Sequence, residues 1–370
     1  LKLGSYNINC YKINKFDLII CDQLYKKVNF NSYKIFILKK KELNIYYLFK
    51  TLRNYFFNKK CDSLKNSYLF TIISETKAKI IIDNVENYTG SHIKKLIPKL
   101  KLLIYQNGVY FKQIENKLEI SLSQLKPDYF LTWSKYYLKY SKRNKIKMIS
   151  MGSLRNNEKN LIVKKKEYDL MFISEFRKLD NILKKKQFIY NNFIDHVKNH
   201  FSFVNTSNAF TILIMNLLNK YSSSFKKKLC VATSASRKEK KLRVSLSDES
   251  YFFKNIAPKC KILESSPEEI AEKSKIIICM TSNLGLELIA KGHKVFFINI
   301  NNLFFDIPFK SENGPFWQKQ FNEKIIIKKI NKLLRMKKEN YTKMVKKHFY
   351  LNEFDQENLK FKKLLNSILL

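Results

Sequence analysis

Short apolar runs alternate along this chain with longer stretches whose apolar residues recur at helical spacing. A strand that is apolar at nearly every position has no face for water, so it must be covered on both sides, and helical crossovers supply that cover. The alternation predicts βαβ units, a mostly parallel sheet and an α/β fold class. In the first half the expected strands are Phe16 to Cys21, Lys34 to Leu38, Lys79 to Asp83, Leu102 to Gln106, Tyr129 to Trp133 and Lys147 to Met151. Helices are expected at Leu43 to Phe57, Leu64 to Glu75 and Ser91 to Ile97, the last stopped by Pro98. The second half repeats the pattern, with strands Tyr168 to Ser174, Lys228 to Thr233, Lys261 to Leu263, Lys275 to Met280 and Lys294 to Asn299. Helices are expected there from about Phe188 to Tyr221, Pro267 to Lys273 and Leu284 to Lys291. Gly152 to Glu167 is polar and charged and reads as a linker. At about 150 residues per domain, 370 residues make two domains the natural expectation. These are a Rossmann-like domain over 1–160, a second over 161–335, a cleft between them and a helical segment over 336–370.

The net charge of +40 points at first to nucleic acid or an anionic membrane. Only seven of the 71 basic residues are Arg, and Asn, Ile, Phe and Tyr are enriched alongside Lys, as AT-rich coding would produce. Base and phosphate recognition favours Arg forks and aromatic platforms in clusters, so nucleic acid is not expected as a partner. An anionic membrane surface or a phosphorylated substrate remains compatible with the charge. The cysteines form no Cys-x-x-Cys pair, and several lie inside apolar runs, which reads as buried free thiols in a reducing cytoplasm. His196 and His200 are spaced i, i+4, but Val197 stands where a zinc motif needs Glu, so no metal is expected. The apolar stretch Ala209 to Leu218 is too short to span a bilayer, and neither a transmembrane helix nor a signal peptide is expected.

In open parallel sheets ligands collect beyond the carboxyl ends of the strands, so residues just after each strand carry most weight. Strand Lys275 to Met280 runs into Thr281, Ser282 and Asn283, then Gly285 and Glu287. Hydroxyls and free N–H groups at a helix start favour a phosphate; the same residues can simply cap the helix, with Gly285 allowing close packing on the sheet. Glu287 could accept from a ribose diol or favour the helix dipole. Arg237 and Lys238, after strand Lys228 to Thr233, could neutralise a diphosphate without a metal, or sit there by chance among so many basic residues. In the first half Asp83, Asn84 and Glu86 follow one strand and Gln106, Asn107 and Gly108 the next, an arrangement suited to hydroxyl ligands and a general base, or to ordinary turns. Gly152 to Asn156 lies where a hinge would be.

Taken in order, Ile81-Ile82-Asp83-Asn84, Tyr105-Gln106-Asn107-Gly108, Asp128 to Trp133, Met151 to Asn156, Tyr168 to Ser174 and Thr281 to Glu287 resemble the surface carbohydrate biosynthesis proteins. These look like GT-B glycosyltransferases and are distantly similar to the CDP-glycerol glycerophosphotransferases. The resemblance covers about residues 15 to 360. It implies a donor nucleotide held by the second domain, with Thr281, Ser282 and Asn283 on its phosphates, Glu287 on the ribose, and Arg237 and Lys238 on the diphosphate. It implies an acceptor in the first domain near Asn84, Glu86, Gln106, Asn107 and Gly108. Gln106 to Gly108 replace the His-Gly loop of the glycerophosphotransferases, which leaves Asp83 as the preferred base.

The expectation is thus a cytoplasmic, metal-independent glycosyltransferase using a nucleotide-sugar and a lipopolysaccharide or capsule acceptor, with peripheral attachment to the inner membrane face. Phosphoglycerol or phospho-polyol transfer is a second reading, and a non-catalytic membrane-surface or nucleic-acid binding protein is a third. Ile326, Ile330, Leu333 and Leu334 recur at helical spacing among lysines, which predicts either a helix docked across both domains or a basic face on the membrane.

Overall fold

Each apolar run forms its strand within a residue or two of the expected ends. The computed structural model describes the chain except residues 1, 4–5, 11–13, 23, 27, 39–41, 59–62, 109–119, 141–145, 159–164, 177–202, 234–245, 300–308, 310 and 350–352. The chain divides into two units, Leu1–Asn160 with Tyr350–Leu370, and Leu161–Phe349.

The first unit begins with β1 (Lys2–Leu3), β2 (Tyr6–Asn9), β3 (Leu18–Ile20), β4 (Ile35–Ile37), β5 (Glu42–Asn44), α1 (Ile45–Asn58) and α2 (Leu64–Thr76). It continues with β6 (Ile80–Asn84), α3 (Thr89–Leu96), β7 (Lys101–Tyr105), β8 (Tyr129–Thr132), β9 (Lys147–Ser150) and the single turn α4 (Leu154–Asn157). Six strands form one parallel sheet in the order β4-β3-β6-β7-β8-β9. A separate small sheet, β1-β2-β5, was not foreseen, because its strands are short and polar. Ser63 caps α2 through its Oγ, which accepts from Asn66 N at 3.2 Å, and Lys77 closes the helix in the left-handed region at φ 53°. Ile80, Ile81 and Ile82 are fully buried, each contributing about 1.5–3 kcal/mol by leaving water.

Gly152 to Asn157 is not part of a linker. Ser153, Leu154, Asn156 and Asn157 are buried. Asn157 Nδ2 donates to Met151 O at 2.8 Å and to Asn358 Oδ1 at 2.9 Å, and Asn358 Nδ2 donates to Leu154 O at 2.8 Å. The turn is thus sewn to the chain's return segment, and polar composition misled because these amides bond to one another inside the protein.

The second unit holds β10 (Tyr168–Ile173), α5 (Phe203–Ser224), β11 (Leu229–Ala232), α6 (Leu246–Ile256), β12 (Lys261–Leu263) and α7 (Pro267–Glu272). Then follow β13 (Ser274–Cys279), α8 (Asn283–Ala290), β14 (Val295–Ile298), β15 (Asn313–Gly314), β16 (Trp317–Gln318), α9 (Glu323–Arg335) and α10 (Lys338–His348). Its sheet order is β12-β11-β10-β13-β14-β16-β15, parallel except for the β15–β16 pair. The part of the long expected helix before Phe203 lies outside the described residues.

The expected C-terminal segment 336–370 is divided between the units. α9 buries Ile326, Ile330 and Leu333, and α10 buries Tyr341 and Val345, all in the second unit. α11 (Leu359–Leu369) instead completes the first unit, where Phe361 and Leu365 join Leu18, Ile20, Ile80, Ile82 and Leu103 in one core.

Candidate functional site

Strand order decides where each sheet can hold a ligand. In the first unit β3 and β6 are neighbours from which the chain winds outward in opposite directions; in the second unit β10 and β13 hold that position. At such a switch point the loops leaving two adjacent strands diverge and open a crevice at the carboxyl edge.

In the first unit the crevice is a cavity of about 270 Å³ lined by Asp22, Leu24, Asn84, Tyr105, Gln106, Asn107, Ser153, Leu154 and Arg155. Asp22 follows β3, and its carboxylate spans the switch point. Oδ2 accepts from Asn84 Nδ2 at 3.0 Å and from the Tyr105 hydroxyl, while Oδ1 accepts from Leu24 N at 2.8 Å. Burial raises the Tyr105 hydroxyl pKa above its ordinary value, the Asp22 charge adds to the rise, and Arg155 acts the other way. The cavity therefore combines an acceptor carboxylate, amides, a proton-retaining phenol and a guanidinium, a set suited to ordering a polyhydroxylated molecule.

Asp83, the base expected from sequence, does not line this cavity. It has no exposed surface. Its Oδ2 accepts from Gly90 N at 2.7 Å, and Oδ1 accepts from Asn84 N at 2.9 Å and Asn87 Nδ2 at 2.8 Å, so the carboxylate ties the end of β6 to the start of α3. Burial pushes its pKa up to about 7 against those donors, with the Asp22 charge adding to the rise. A base must reach the proton it takes, and Asp22 is the carboxylate that faces the cavity.

Of the expected acceptor ligands, Asn84, Gln106 and Asn107 line the cavity, whereas Glu86 and Gly108 do not. Gln106 is largely committed to structure: Nε2 donates to Gly108 O at 2.6 Å, and Oε1 accepts from Trp133 N at 2.9 Å. Glu86 is exposed, and its N–H donates to Asn84 Oδ1 at 2.9 Å.

In the second unit the turn from β13 into α8 converges on a side chain that sequence reasoning passed over. Glu175 follows β10, across the switch point. Its Oε1 accepts from Met280 N at 2.9 Å, Thr281 N at 2.7 Å and Ser282 N at 3.0 Å, and Oε2 accepts from Thr281 Oγ1 at 2.6 Å. The residue keeps some exposed surface while its carboxylate is enclosed, and burial raises its pKa against the lowering effect of those donors. Ser282 caps the helix, its Oγ accepting from Leu284 N at 3.2 Å. The expected phosphate turn is thus a nest of donors with a carboxylate of the same chain in it.

Two expected donor ligands turn inward. Gly285 is buried against the sheet, where an added Cβ would stand 2.5 Å from Cys279 Sγ and 3.0 Å from Phe297 Cζ, so the glycine serves helix-to-sheet packing. Glu287 is 1% exposed and lies within the packed part of α8, not at a surface a ribose could reach. Arg237, Lys238, His196 and His200 lie outside the described residues. Among the described residues no group of three or more His, Cys, Asp or Glu is arranged to hold a metal. No described helix is long and apolar enough to cross a membrane. Cys21, Cys230, Cys260 and Cys279 are buried free thiols, and burial pushes Cys230 and Cys260 up to about 12.

Comparison with known proteins agrees with this architecture. "UDP-N-acetylglucosamine 2-epimerase from Listeria monocytogenes", described there as putative, is similar over 97% of this chain and 96% of its own, with TM-score 0.55 and 9% identity. The UDP-GlcNAc 2-epimerase of Methanocaldococcus jannaschii is similar over 96% of this chain and 100% of its own, at TM-score 0.53 and 12% identity. The UDP-N-acetylglucosamine 2-epimerase of Rickettsia bellii follows at 0.51 and 11%, covering 97% of this chain and 96% of its own. At such identities the likeness establishes the fold, α/β and GT-B-like, and no more. No curated protein matches the chain by sequence. The model of one protein family matches residues 105–369, which takes in the whole sheet of the second unit and strands β8 and β9 of the first, and the chain belongs to that family, described as "putative O-antigen biosynthesis protein".

Proposed function

We propose that this protein is a glycosyltransferase that moves a sugar from a nucleotide-sugar to a lipopolysaccharide or capsule acceptor in the cytoplasm. The observation that carries the reading is the β13–α8 turn, whose three backbone N–H groups and one hydroxyl already converge on an oxyanion. On this reading the donor phosphate takes the place of the Glu175 carboxylate at Thr281 and Ser282, with Asn283 beside it. Arg237 and Lys238 add positive charge, so that no metal is required. The acceptor occupies the first unit's cavity. Asp22 removes a proton from an acceptor hydroxyl, that oxygen bonds to the sugar's anomeric carbon, and the bond from that carbon to the phosphate oxygen breaks. The electron pair leaves on the nucleoside diphosphate, stabilised by the donor nest.

Membership of an O-antigen biosynthesis family supports the acceptor class, and the GT-B-like fold supports an activated nucleotide as co-substrate. Because the similar structures are UDP-N-acetylglucosamine epimerases by name, UDP-sugars come first in a panel with GDP-, CDP- and dTDP-sugars and CDP-glycerol. Native-state binding raises the melting temperature by mass action. A selective shift by one nucleotide, lost in Ser282→Pro, followed by mass-spectrometric detection of a glycosylated acceptor, is the expected result. Rearranged free sugar nucleotide with no acceptor product would make the protein an epimerase, phosphate in the product a phospho-polyol transferase, and no shift at all would remove the donor assignment.

A further inference from the structure

The first unit carries an exposed surface that neither the nest nor the cavity uses. α1 reads Ile-Tyr-Tyr-Leu-Phe-Lys-Thr-Leu-Arg-Asn-Tyr-Phe-Phe-Asn and contains no acidic residue. Its inner side is settled: Tyr47 and Thr51 are fully buried, Thr51 Oγ1 donates to Tyr47 O at 2.6 Å, and Asn54 Nδ2 donates to Thr71 Oγ1 of α2 at 3.3 Å. Its exposed residues are Tyr46, Phe49, Lys50, Arg53, Phe56 and Phe57. At 3.6 residues per turn these six positions fall within an arc of roughly 120°. Phe49, Phe56 and Phe57 are 69%, 66% and 82% exposed and Tyr46 49%. Every other described helix carries at most one large hydrophobic residue exposed in this way.

We propose that this face of α1 is a docking surface for an anionic phospholipid bilayer, lying in the plane of the headgroups. Three features select that occupant. Aromatic rings are the side chains that settle at the boundary between headgroups and acyl chains. Arg53 lies between the rings and Lys50 at the edge of the face, and the chain carries +40 overall, which complements a negative surface. Lys50 pairs with Glu75 at the edge of the face, and on the helix itself no carboxylate would repel a lipid phosphate. The C-terminal helices, whose helical spacing among lysines had offered them for this role, bury Ile326, Ile330, Leu333, Phe361 and Leu365 in the two cores and expose only the single aliphatic residues Ile325 and Leu359; α9 presents Lys324, Lys328, Lys332 and Arg335 to solvent without comparable rings.

The docking is independent of the transfer reaction, so it is tested without nucleotide. The full chain is sedimented with vesicles of phosphatidylglycerol and phosphatidylethanolamine, and with phosphatidylcholine vesicles, at low and at moderate salt. The triple variant Phe49→Ser, Phe56→Ser, Phe57→Ser is expected to lower partitioning onto the anionic vesicles at moderate salt at least tenfold with an unchanged melting temperature, since those rings are exposed. Arg53→Glu is expected to lower it severalfold. The variant Lys324→Glu, Lys328→Glu, Lys332→Glu removes more positive charge and is expected to bind like the parent at moderate salt. Equal loss in both triple variants would reduce the effect to bulk charge and overturn the proposal, as would parental binding in the phenylalanine variant or no vesicle binding at all. A concentration-dependent dimer in analytical ultracentrifugation, abolished by the phenylalanine substitutions, would assign the face to a second copy instead. None of these outcomes alters nucleotide binding, so failure here and failure of the transferase reading are separable.

Discussion

Asp83 offers a direct test of whether burial outweighs hydrogen bonding at the end of β6. The carboxyl group has no exposed surface, and its pKa rises from the ordinary 3.8 to about 7 although it accepts from Gly90 N, Asn84 N and Asn87 Nδ2. Folding therefore favours the neutral acid. Its contribution to stability is whole below pH 3.8 and is lost as pH rises to about 7, where the folded protein at last gives up the proton. At about 1.4 kcal/mol per tenfold change in acidity, that rise corresponds to roughly 4 kcal/mol between the two ends of the window. Asp83→Asn removes the titration while keeping size and one acceptor. Urea denaturation followed by tryptophan fluorescence, from pH 4.5 to 8 on both proteins, isolates the group because other titrations cancel in the difference. The parent should lose about 1–4 kcal/mol relative to the variant as pH climbs, with the difference levelling above about pH 7. A difference independent of pH, or one that moves in the parent's favour with rising pH, would refute the reasoning, the second by showing that the three donors hold the carboxylate ionised.

Three further perturbations address the two crevices. Asp22→Asn should lower kcat at least a hundredfold, the scale of a lost general base, while leaving nucleotide affinity in the second unit unchanged in a calorimetric titration. Glu175→Gln should tighten nucleotide binding about tenfold, because an incoming phosphate no longer displaces an anion from the Met280, Thr281 and Ser282 N–H groups; weaker binding in calorimetry would show that the carboxylate holds the nest open. Gly285→Ala should cost about 1–3 kcal/mol in thermal unfolding, since its Cβ would press on Cys279 Sγ, and should leave nucleotide affinity per folded molecule intact.

Much of the fold is legible in the sequence because a strand buried on both faces must be apolar throughout. Ile80 to Ile82, Leu102 to Ile104 and Ile276 to Ile278 announce themselves in this way. Elements whose stability comes from elsewhere were not legible. β1, β2 and β5 are short and polar, and their pairing is set by what they meet. Asn157 and Asn358 look like solvated loop residues until their amides are found bonded to each other across 201 positions of sequence. Composition records the polarity of a side chain and carries nothing about a partner so distant.

The same limit explains which site residues were found. Thr281, Ser282, Asn84, Gln106 and Asn107 follow apolar runs directly, and a strand-end argument finds them from local pattern alone. Asp22 and Glu175 also follow strands, yet what makes them important is the order of those strands in the sheet: β3 beside β6 and β10 beside β13. Local sequence does not encode that order; it emerges when the chain winds outward from each first strand. Once it is known, the acid after the first strand and the polar turn after its new neighbour must share one crevice, and each unit places a carboxylate there. In the first the carboxylate orients Asn84 and Tyr105, and in the second it occupies the donors of the β13–α8 turn. Two crevices of similar topology thus differ in character: in the first a carboxylate faces the cavity, in the second a carboxylate fills the donors of a helix start, and the proposed transfer assigns the first to the acceptor and the second to the leaving phosphate.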